Sequence, residues 1–392
     1  MAGPLEGIKI VELGQMIAVP AATHLLATQG ATVIKIEGVD RGDDLRHYGS
    51  QKNGMSGWFA NANAGKRSIG LNLASDAGAA VMWQLLEQAD VFVQGFRPGA
   101  VARLGFGPDE VRARNPRLVY VSSSGFGASG PYVDRPVYDP VIQALSGWAG
   151  AQRTAEGPSL VRAMVADKVA ALTTSQAIST ALFSRERTGR GQHVELSMLE
   201  SNLAFNWPDV MMHCTVLDED ATHFPNLLGV YRLVPSADGW VTVTAGTDAQ
   251  WQSVTAALDR PELATDERFA TGADRNANMP AWYEAFDEMC GAFSTEELLR
   301  RCHGADVPAV AVLSPDEVVG DEQVVARGAV RESDHPVVGR IRSPRQGARF
   351  EADGEGSPGP APTWGQDTDA ILAELGHDAD AIAGMRSAGN VV

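Results

Sequence analysis

The chain has 392 residues, a formal net charge of −17 at pH 7, 44% hydrophobic residues and 21% charged residues. This length is enough for two domains, and the negative charge argues against nucleic acid and anionic membrane surfaces as partners. The three cysteines form no CxxC pair, the first residues show no signal-peptide pattern, and no apolar run approaches the ~20 residues of a spanning helix. We therefore expect a cytoplasmic protein with reduced thiols.

The first third of the chain alternates short apolar strands with helices. The pattern predicts strands at 8–13, 31–37, 90–96 and 117–127, and helices at 21–30 and 79–89. Strands that alternate with helices indicate an α/β fold with a parallel sheet covered on both faces. The turn after the first strand, ELGQMIAVPAAT, lacks the GxGxxG fingerprint, which argues against dinucleotide binding.

The remaining elements are less regular. Residues 140–183 are mainly helical in pattern, a strand follows at 191–198, and Trp207–Gly229 lacks periodicity and is interpreted as a crossing segment. Further on, the sequence predicts a hairpin at 231–246, helices at 251–258 and 279–292, a strand at 308–314, an extended tail at 336–350 and a short helix at 368–376.

Several runs occur in a fixed order along nearly the whole chain. They are GIKIVELG, GATVIKIE, NAGKRSIGLNL, GFRPGAVARLGFGPDEVRARNPRLVYVSSSGFGASGPYVDRPVYDPVIQALSG, RERTGRGQHVELSMLES and VPAVAVLSPDEVVGDEQVVARG. The ordered set resembles the class III CoA-transferases, a family that includes formyl-CoA:oxalate and carnitine CoA-transferases and α-methylacyl-CoA racemase. The resemblance implies a Rossmann-like large domain of residues 1–225 and 313–392, an inserted small α/β domain of residues 226–312, and an interlocked homodimer.

The resemblance also implies the reaction and its nucleophile. The expected enzyme moves CoA from an acyl-CoA donor to a small carboxylic acid, without a metal and with no cofactor beyond CoA itself. The family's nucleophile matches Asp167, just before a helical run in MVADKVAALTT. We expect Asp167 to be an N-cap whose neighbouring amides and helix dipole keep it ionised. An ionised carboxylate can attack a thioester and form a mixed anhydride and then an aspartyl-CoA thioester.

Two other functions remain open, an α-methylacyl-CoA racemase or epimerase and a catalytically silent CoA-binding protein. In the racemase branch a histidine matches Tyr138, whereas tyrosine, with a pKa of about 10, is a poor base at neutral pH. We expect Tyr138, Asp139 and Gly125 to lie at the substrate pocket. Core packing is the alternative for Tyr138, a structural cap for Asp139, and a simple turn for the Gly125–Pro131 loop.

The phosphates of CoA need cations and backbone amides. The resemblance places contacts in the first strand–helix turn at Gln15, Ile17 and Ala18. The cation candidates include Arg97, which follows a strand, and Arg103, which by the resemblance best matches a family contact with CoA. The others are Arg41 and Arg46 after the second strand, and Lys66 and Arg67 in NAGKRS.

Two stretches depart from the family pattern. Val19–Pro20 stands where family members often have Gly-Pro. Formyl-CoA:oxalate transferases carry a run of glycines as a lid over the aspartate, and the corresponding stretch here, His223–Tyr231, reads HFPNLLGVY. The missing glycines argue against oxalate as the substrate.

Overall fold

The computed structural model describes residues 3–221, 231–353 and 359–392. The chain folds as two units, a large unit of Met1–Ala221 and Ala329–Val392 and a small unit of Thr222–Gly328. The expected first boundary, between residues 225 and 226, lies outside the described residues. At the other end the small unit continues past residue 312, because two short helices follow its last strand before Gly328.

Strands are numbered in chain order through the described residues. They are β1 (Lys9–Leu13), β2 (Thr32–Glu37), β3 (Gln51–Lys52), β4 (Met55–Ser56), β5 (Arg67–Gly70), β6 (Val91–Gln94), β7 (Val119–Ser124), β8 (His193–Ser197), β9 (Val234–Pro235), β10 (Trp240–Val243), β11 (Ala309–Ala311), β12 (Val330–His335) and β13 (Gly339–Pro344).

The α-helices are numbered in the same way. They are α1 (Ala18–Ala27), α2 (Gly57–Asn63), α3 (Asp76–Gln88), α4 (Ala100–Arg103), α5 (Pro108–Arg114), α6 (Asp139–Leu145), α7 (Trp148–Ala151), α8 (Val165–Thr188), α9 (Met198–Asn206), α10 (Asp248–Ala257), α11 (Gly272–Ala277), α12 (Met279–Gly291), α13 (Thr295–Gly304), α14 (Pro315–Val318), α15 (Glu322–Ala326), α16 (Thr368–Glu374) and α17 (Ala379–Ser387).

A parallel sheet forms the centre of the large unit, and this confirms the predicted α/β fold with a parallel sheet. Its strand order is β5-β2-β1-β6-β7-β8, and every neighbouring pair is parallel. Counted in chain order these strands run 3-2-1-4-5-6, the order of doubly wound nucleotide-binding sheets. The strand order reverses between β1 and β6, and ligands bind such sheets at the carboxyl ends of the strands beside this switch point.

Both faces of the sheet are covered because successive strand residues point to opposite sides. Val11, Phe92 and Tyr120 face one core, which α3, α16 and α17 complete. Residues one position away along the same strands face the other core, which α1 and α8 complete. Helix α8 therefore packs along one face of the sheet. The direction in which it runs relative to the strands determines at which edge of the sheet its first turn lies.

The sequence prediction differs from the structure in a few places. Strand β5 was not predicted, because RSIG is only four residues long and ends in a glycine, which weakens a strand pattern. Helix α1 begins at Ala18 and not at residue 21, with Pro20 in its first turn, where a missing N–H is tolerated.

The small unit has its own core. Strands β9 and β10 form the hairpin that the sequence predicts, and β11 adds a third antiparallel strand. The fully buried Trp251 of α10 contacts the rings of Phe269, Trp282 and Phe286. Across the described parts of both units, no helix combines the length and the apolar character needed to cross a membrane.

Candidate active site

Asp167 lies in the first turn of α8. This helix connects β7 to the parallel strand β8, so it runs antiparallel to the strands and starts at their carboxyl edge. Ala166 and Ala170 point into an apolar cluster, whereas Asp167 is half-buried beside it. The candidate nucleophile therefore lies at the edge of the sheet where parallel α/β folds bind ligands.

The environment of Asp167 differs from the expectation in one important respect. Met164, not Asp167, occupies the N-cap position, and no described residue donates a hydrogen bond to the Asp167 carboxylate. Burial and, to a smaller extent, the negative charge of Asp139 together raise the pKa of Asp167 from 3.8 to about 7. The expectation that amides hold this carboxylate strongly ionised is therefore wrong.

Asp139 links the beginnings of α6 and α8. Its Oδ2 accepts a hydrogen bond from the Asp167 backbone N–H at 3.0 Å, and its Oδ1 accepts one from Gln143 Nε2 at 2.5 Å. Gln143 also donates to the carbonyls of Val161 and Ala163, while its Oε1 accepts the Val161 N–H at 2.9 Å. The buried Asp139 thus acts as a structural cap on α8, and its contact with substrate stays a prediction.

Gln143 was missed by the sequence prediction. It lies four residues after Asp139 on α6, the spacing at which side chains on one helix face meet. Polar residues at this spacing in a short, otherwise apolar helix are a signal that could have identified the pair.

The loop between β7 and α6 closes tightly over this region. A Cβ on Gly125 would come within 2.3 Å of Val137 Cγ1, so only glycine fits there without movement of the loop. Phe126 and Val137 in turn pack against the cluster that contains Ala166. Tyr138 is 70% exposed, so core packing is wrong for this residue, and its role in an acyl pocket stays a prediction.

The turn between β1 and α1 adjoins the start of α8. Ile17, the N-cap of α1, is buried in a cluster against which Met164 packs, and Ala18 packs against the cluster of Ala166. Gln15 is exposed. The structure therefore brings the predicted CoA-binding turn and the candidate nucleophile together, beside the switch point.

The predicted cations differ in how available they are. Arg97 and Arg103 follow β6, the neighbour of β1, and both are exposed with no carboxylate partner among the described residues. Arg41 is exposed and lies 3.3 Å from Asp44. Both terminal nitrogens of Arg67 donate hydrogen bonds to the Glu374 carboxylate, each at 2.8 Å. Arg97 and Arg103 are thus the least engaged of the four.

Arg46 and Lys66 were wrong as CoA contacts because both are buried inside the protein. Arg46 pairs with Glu37 at 2.7 Å. Lys66 donates to Glu12 Oε2 at 2.7 Å, to the Pro20 carbonyl and to Asn63. Neither side chain is accessible to a phosphate from outside the protein.

Lys66 belongs to a buried ionic cluster, defined here as Glu12, Lys35, Asp43 and Lys66. Lys35 lies 2.8 Å from both Glu12 Oε1 and Asp43 Oδ2. Burial alone raises the pKa of Glu12, but the charges of Lys35 and Lys66 outweigh it and lower this pKa to about 2. Two cations and two anions balance, so the cluster can stay charged inside the unit.

This cluster was also missed by the sequence prediction, although β1 and β2 carry a signal for it. Glu12 and Lys35 are charged residues that each stand between two apolar neighbours in the strands KIVEL and TVIKIE. A charge within a buried strand needs a partner, because desolvation is costly. Two neighbouring strands with opposite charges therefore predict a buried pair.

Comparisons with known proteins agree with this arrangement. The family model described as CoA-transferase family III matches residues 5–368. An acetyl-CoA:oxalate CoA-transferase from Acetobacter aceti is 33% identical over 340 residues, 84% of this chain and 86% of that protein. A succinyl-CoA:glutarate CoA-transferase from Homo sapiens is 30% identical over 394 residues, 99% of this chain and 90% of that protein.

A solved structure shows the same fold. A CAIB/BAIF family protein from Brucella suis superposes with a TM-score of 0.83 at 30% identity, over 96% of this chain and 100% of that chain. The chain therefore belongs to CoA-transferase family III.

Proposed function

We propose that this chain transfers CoA between carboxylic acids through covalent intermediates on Asp167. The transferase class follows from family III membership, and the relatives described above are named as acyl-CoA:carboxylate CoA-transferases. These names do not favour the racemase alternative. Hydrogen–deuterium exchange at the α-carbon of an acyl-CoA, without CoA transfer, would be the result that favours it.

The proposed reaction starts with a carboxylate oxygen of Asp167 attacking the thioester carbonyl of the donor. The C–S bond breaks, CoA leaves as a thiolate, and a mixed anhydride remains. The thiolate then attacks the aspartyl carbonyl and releases the donor acid, which leaves an aspartyl-CoA thioester. The acceptor carboxylate attacks this thioester, the C–S bond breaks to release the thiolate, and a second mixed anhydride forms. The thiolate then attacks the acceptor carbonyl of this anhydride, which gives the new acyl-CoA and frees the Asp167 carboxylate.

The observation that carries the proposal is the environment of the Asp167 carboxylate. This carboxylate lies at the carboxyl edge of the sheet without a described hydrogen-bond donor, and burial together with the charge of Asp139 raises its pKa to about 7. A partly desolvated carboxylate of higher basicity is a better nucleophile than one stabilised by several amides. At neutral pH a large fraction of the molecules would still carry the reactive carboxylate.

We propose that CoA binds at the switch point. The backbone of Ile17 and Ala18 begins α1, and no side chain caps this helix end. Arg97 and Arg103 follow the neighbouring strand β6 and supply positive charge for the phosphates. This arrangement would leave the thioester end of CoA near the first turn of α8.

The acceptor class is proposed from the relatives. The two named above act, by their names, on oxalate and on succinyl-CoA and glutarate, which are dicarboxylic acids or derive from one. We therefore expect a dicarboxylic acid as donor or acceptor. A screen of acyl-CoA donors against mixed carboxylates by mass spectrometry would identify the pair.

We further propose a homodimer, which one face of α8 supports. Exposed residues recur along this helix at Lys168, Leu172, Gln176, Thr180 and Phe183. Leu172 and Phe183 are 57% and 65% exposed, and large apolar side chains in that position favour a partner surface. Sedimentation at nanomolar concentration should show a dimer, and a stable folded monomer would contradict an interlocked pair.

The test of the proposed function is chemical trapping. Hydroxylamine added during turnover should attack the activated aspartyl carbonyl and convert Asp167 to a hydroxamate, which peptide mass spectrometry detects. Asp167→Asn should bind CoA as the parent does yet lose turnover by several orders of magnitude. A hydroxamate on another carboxylate, such as Asp139, would contradict the assignment.

A further inference from the structure

The β1–α1 turn contains a backbone conformation that its residue does not favour. Met16 has φ of 62°, in the left-handed region that glycine populates readily and other residues do not. The flanking residues do not remove the steric penalty of this conformation, since Gln15 is exposed and Ile17 must continue into α1. Some contact has to hold Met16 in this conformation.

That contact comes from Asp43, a fully buried residue on the chain segment after β2. Asp43 Oδ1 accepts the Met16 backbone N–H at 3.1 Å and the Leu45 N–H at 2.9 Å. Its other oxygen, Oδ2, lies 2.8 Å from Lys35 Nζ. One carboxylate thus joins the turn to the buried ionic cluster.

Lys35 also contacts the β1–α1 turn. Its Nζ donates to the Gly14 carbonyl at 2.8 Å while it pairs with Glu12 and Asp43. Gly14 and Met16 are therefore both held by members of the cluster, on either side of the exposed Gln15. The four charged side chains are buried, so they touch no solvent and no ligand directly.

We propose that Asp43 is a positioning residue that holds the β1–α1 turn in the conformation that binds CoA. This inference rests on the proposed function, because it takes the turn to be the CoA-binding surface. With Met16 in the left-handed region, the chain turns directly from β1 into α1 and presents the uncapped first turn of the helix at the switch point. Without Asp43, Met16 would leave this conformation, and CoA would bind only the fraction of molecules that re-form it.

The expected effect is on affinity and not on the chemical step. In the full chain, Asp43→Ala should raise the Kd for CoA and the KM for acyl-CoA about tenfold, because the competent fraction falls. The kcat at saturating acyl-CoA should stay within about twofold, since Asp167 lies on a different helix. If Asp43→Ala does not fold, Asp43→Leu makes the same test, because it keeps the shape and has no acceptor for the Met16 N–H.

Two further variants separate positioning from general destabilisation. Met16→Gly in the Asp43→Ala background should bring the Kd back to within about threefold of the parent, because glycine adopts a positive φ without the steric penalty. Arg185→Met is the matched control. It breaks another buried ion pair, Arg185 to Asp90 at 2.7 Å, at the far end of α8, and should leave the Kd unchanged.

A readout without CoA tests the same point. Amide hydrogen exchange at Met16 should be faster in Asp43→Ala than in the parent and unchanged in Arg185→Met. An unaltered Kd and exchange rate in Asp43→Ala, equal weakening by Arg185→Met, or no rescue by Met16→Gly would each overturn the proposal. A parent chain that does not bind CoA would overturn the proposed function instead, and Met16 exchange would then decide on Asp43 alone.

Discussion

Replacing Asp167 by Asn should stabilise the protein, and the gain should grow with pH. The carboxylate is half-buried and accepts no hydrogen bond from the described residues, so the amide loses no contact there. Burial and Asp139 raise the pKa of Asp167 from 3.8 to about 7, which means that charging this group opposes folding. The Asn variant stays neutral at every pH and avoids that cost.

The size of the effect follows from the same two pKa values. A rise from 3.8 to about 7 corresponds to roughly 4 kcal/mol between the charged and neutral forms. Because the folded-state pKa is the higher one, the stabilising contribution is complete below pH 3.8 and is lost as the pH rises through about 7. Between pH 5 and pH 8 the advantage of the Asn variant should therefore grow by roughly 2–3 kcal/mol.

Urea unfolding at pH 5, 6, 7 and 8 measures this directly. The parent, Asp167→Asn and the control Asp76→Asn should be compared in the same buffers. Asp76 is an exposed aspartate, also in the first turn of its helix, α3, so its replacement should give no comparable slope with pH. A constant difference between parent and Asp167→Asn at all four pH values would refute the reasoning.

Three other measurements test the site. The value of kcat/KM should fall as pH drops below about 7, where Asp167 becomes protonated, and Asp139→Asn should move this fall to lower pH because it removes a neighbouring negative charge. If kcat/KM falls at the same pH in Asp139→Asn as in the parent, the assignment of this fall to Asp167 is contradicted. Arg103→Ala should weaken CoA binding by about 1.5–3 kcal/mol in calorimetry, whereas the exposed Arg114→Ala should not. Gly125→Ala should lower the free energy of unfolding by about 1–3 kcal/mol, because its Cβ would meet Val137. Adding Val137→Ala should restore part of that loss, and failure to do so would place the strain elsewhere.

Much of the fold could be predicted because the strands carry strong local patterns. The runs at β1, β2, β6 and β7 are short and apolar, and helices separate them, which is typical of a parallel sheet. Strand β5 could not be found in this way, since RSIG is only four residues long and ends in a glycine. Its place in the sheet depends on pairing with β2, which is a tertiary contact.

The position of the nucleophile was predictable, but its electrostatics were not. The ordered motifs mark Asp167, yet its pKa depends on whether it caps α8 or lies inside the first turn, and the helix begins two residues earlier. This displacement of the helix start by two residues decides whether the carboxylate accepts several backbone amide hydrogen bonds or none. Lys66 shows the same limit, because its sequence neighbours do not reveal that it points at Glu12.

The large unit is assembled from segments that leave the ribosome at very different times. All six strands of its parallel sheet are complete by Ser197, but α16 and α17 follow only after the whole small unit. Those late helices supply Ile371, Leu372 and Ile382 to one face of the sheet. During synthesis α3 covers that face only in part, so we expect the nascent chain to expose apolar surface, and with it a risk of aggregation, until α16 and α17 emerge.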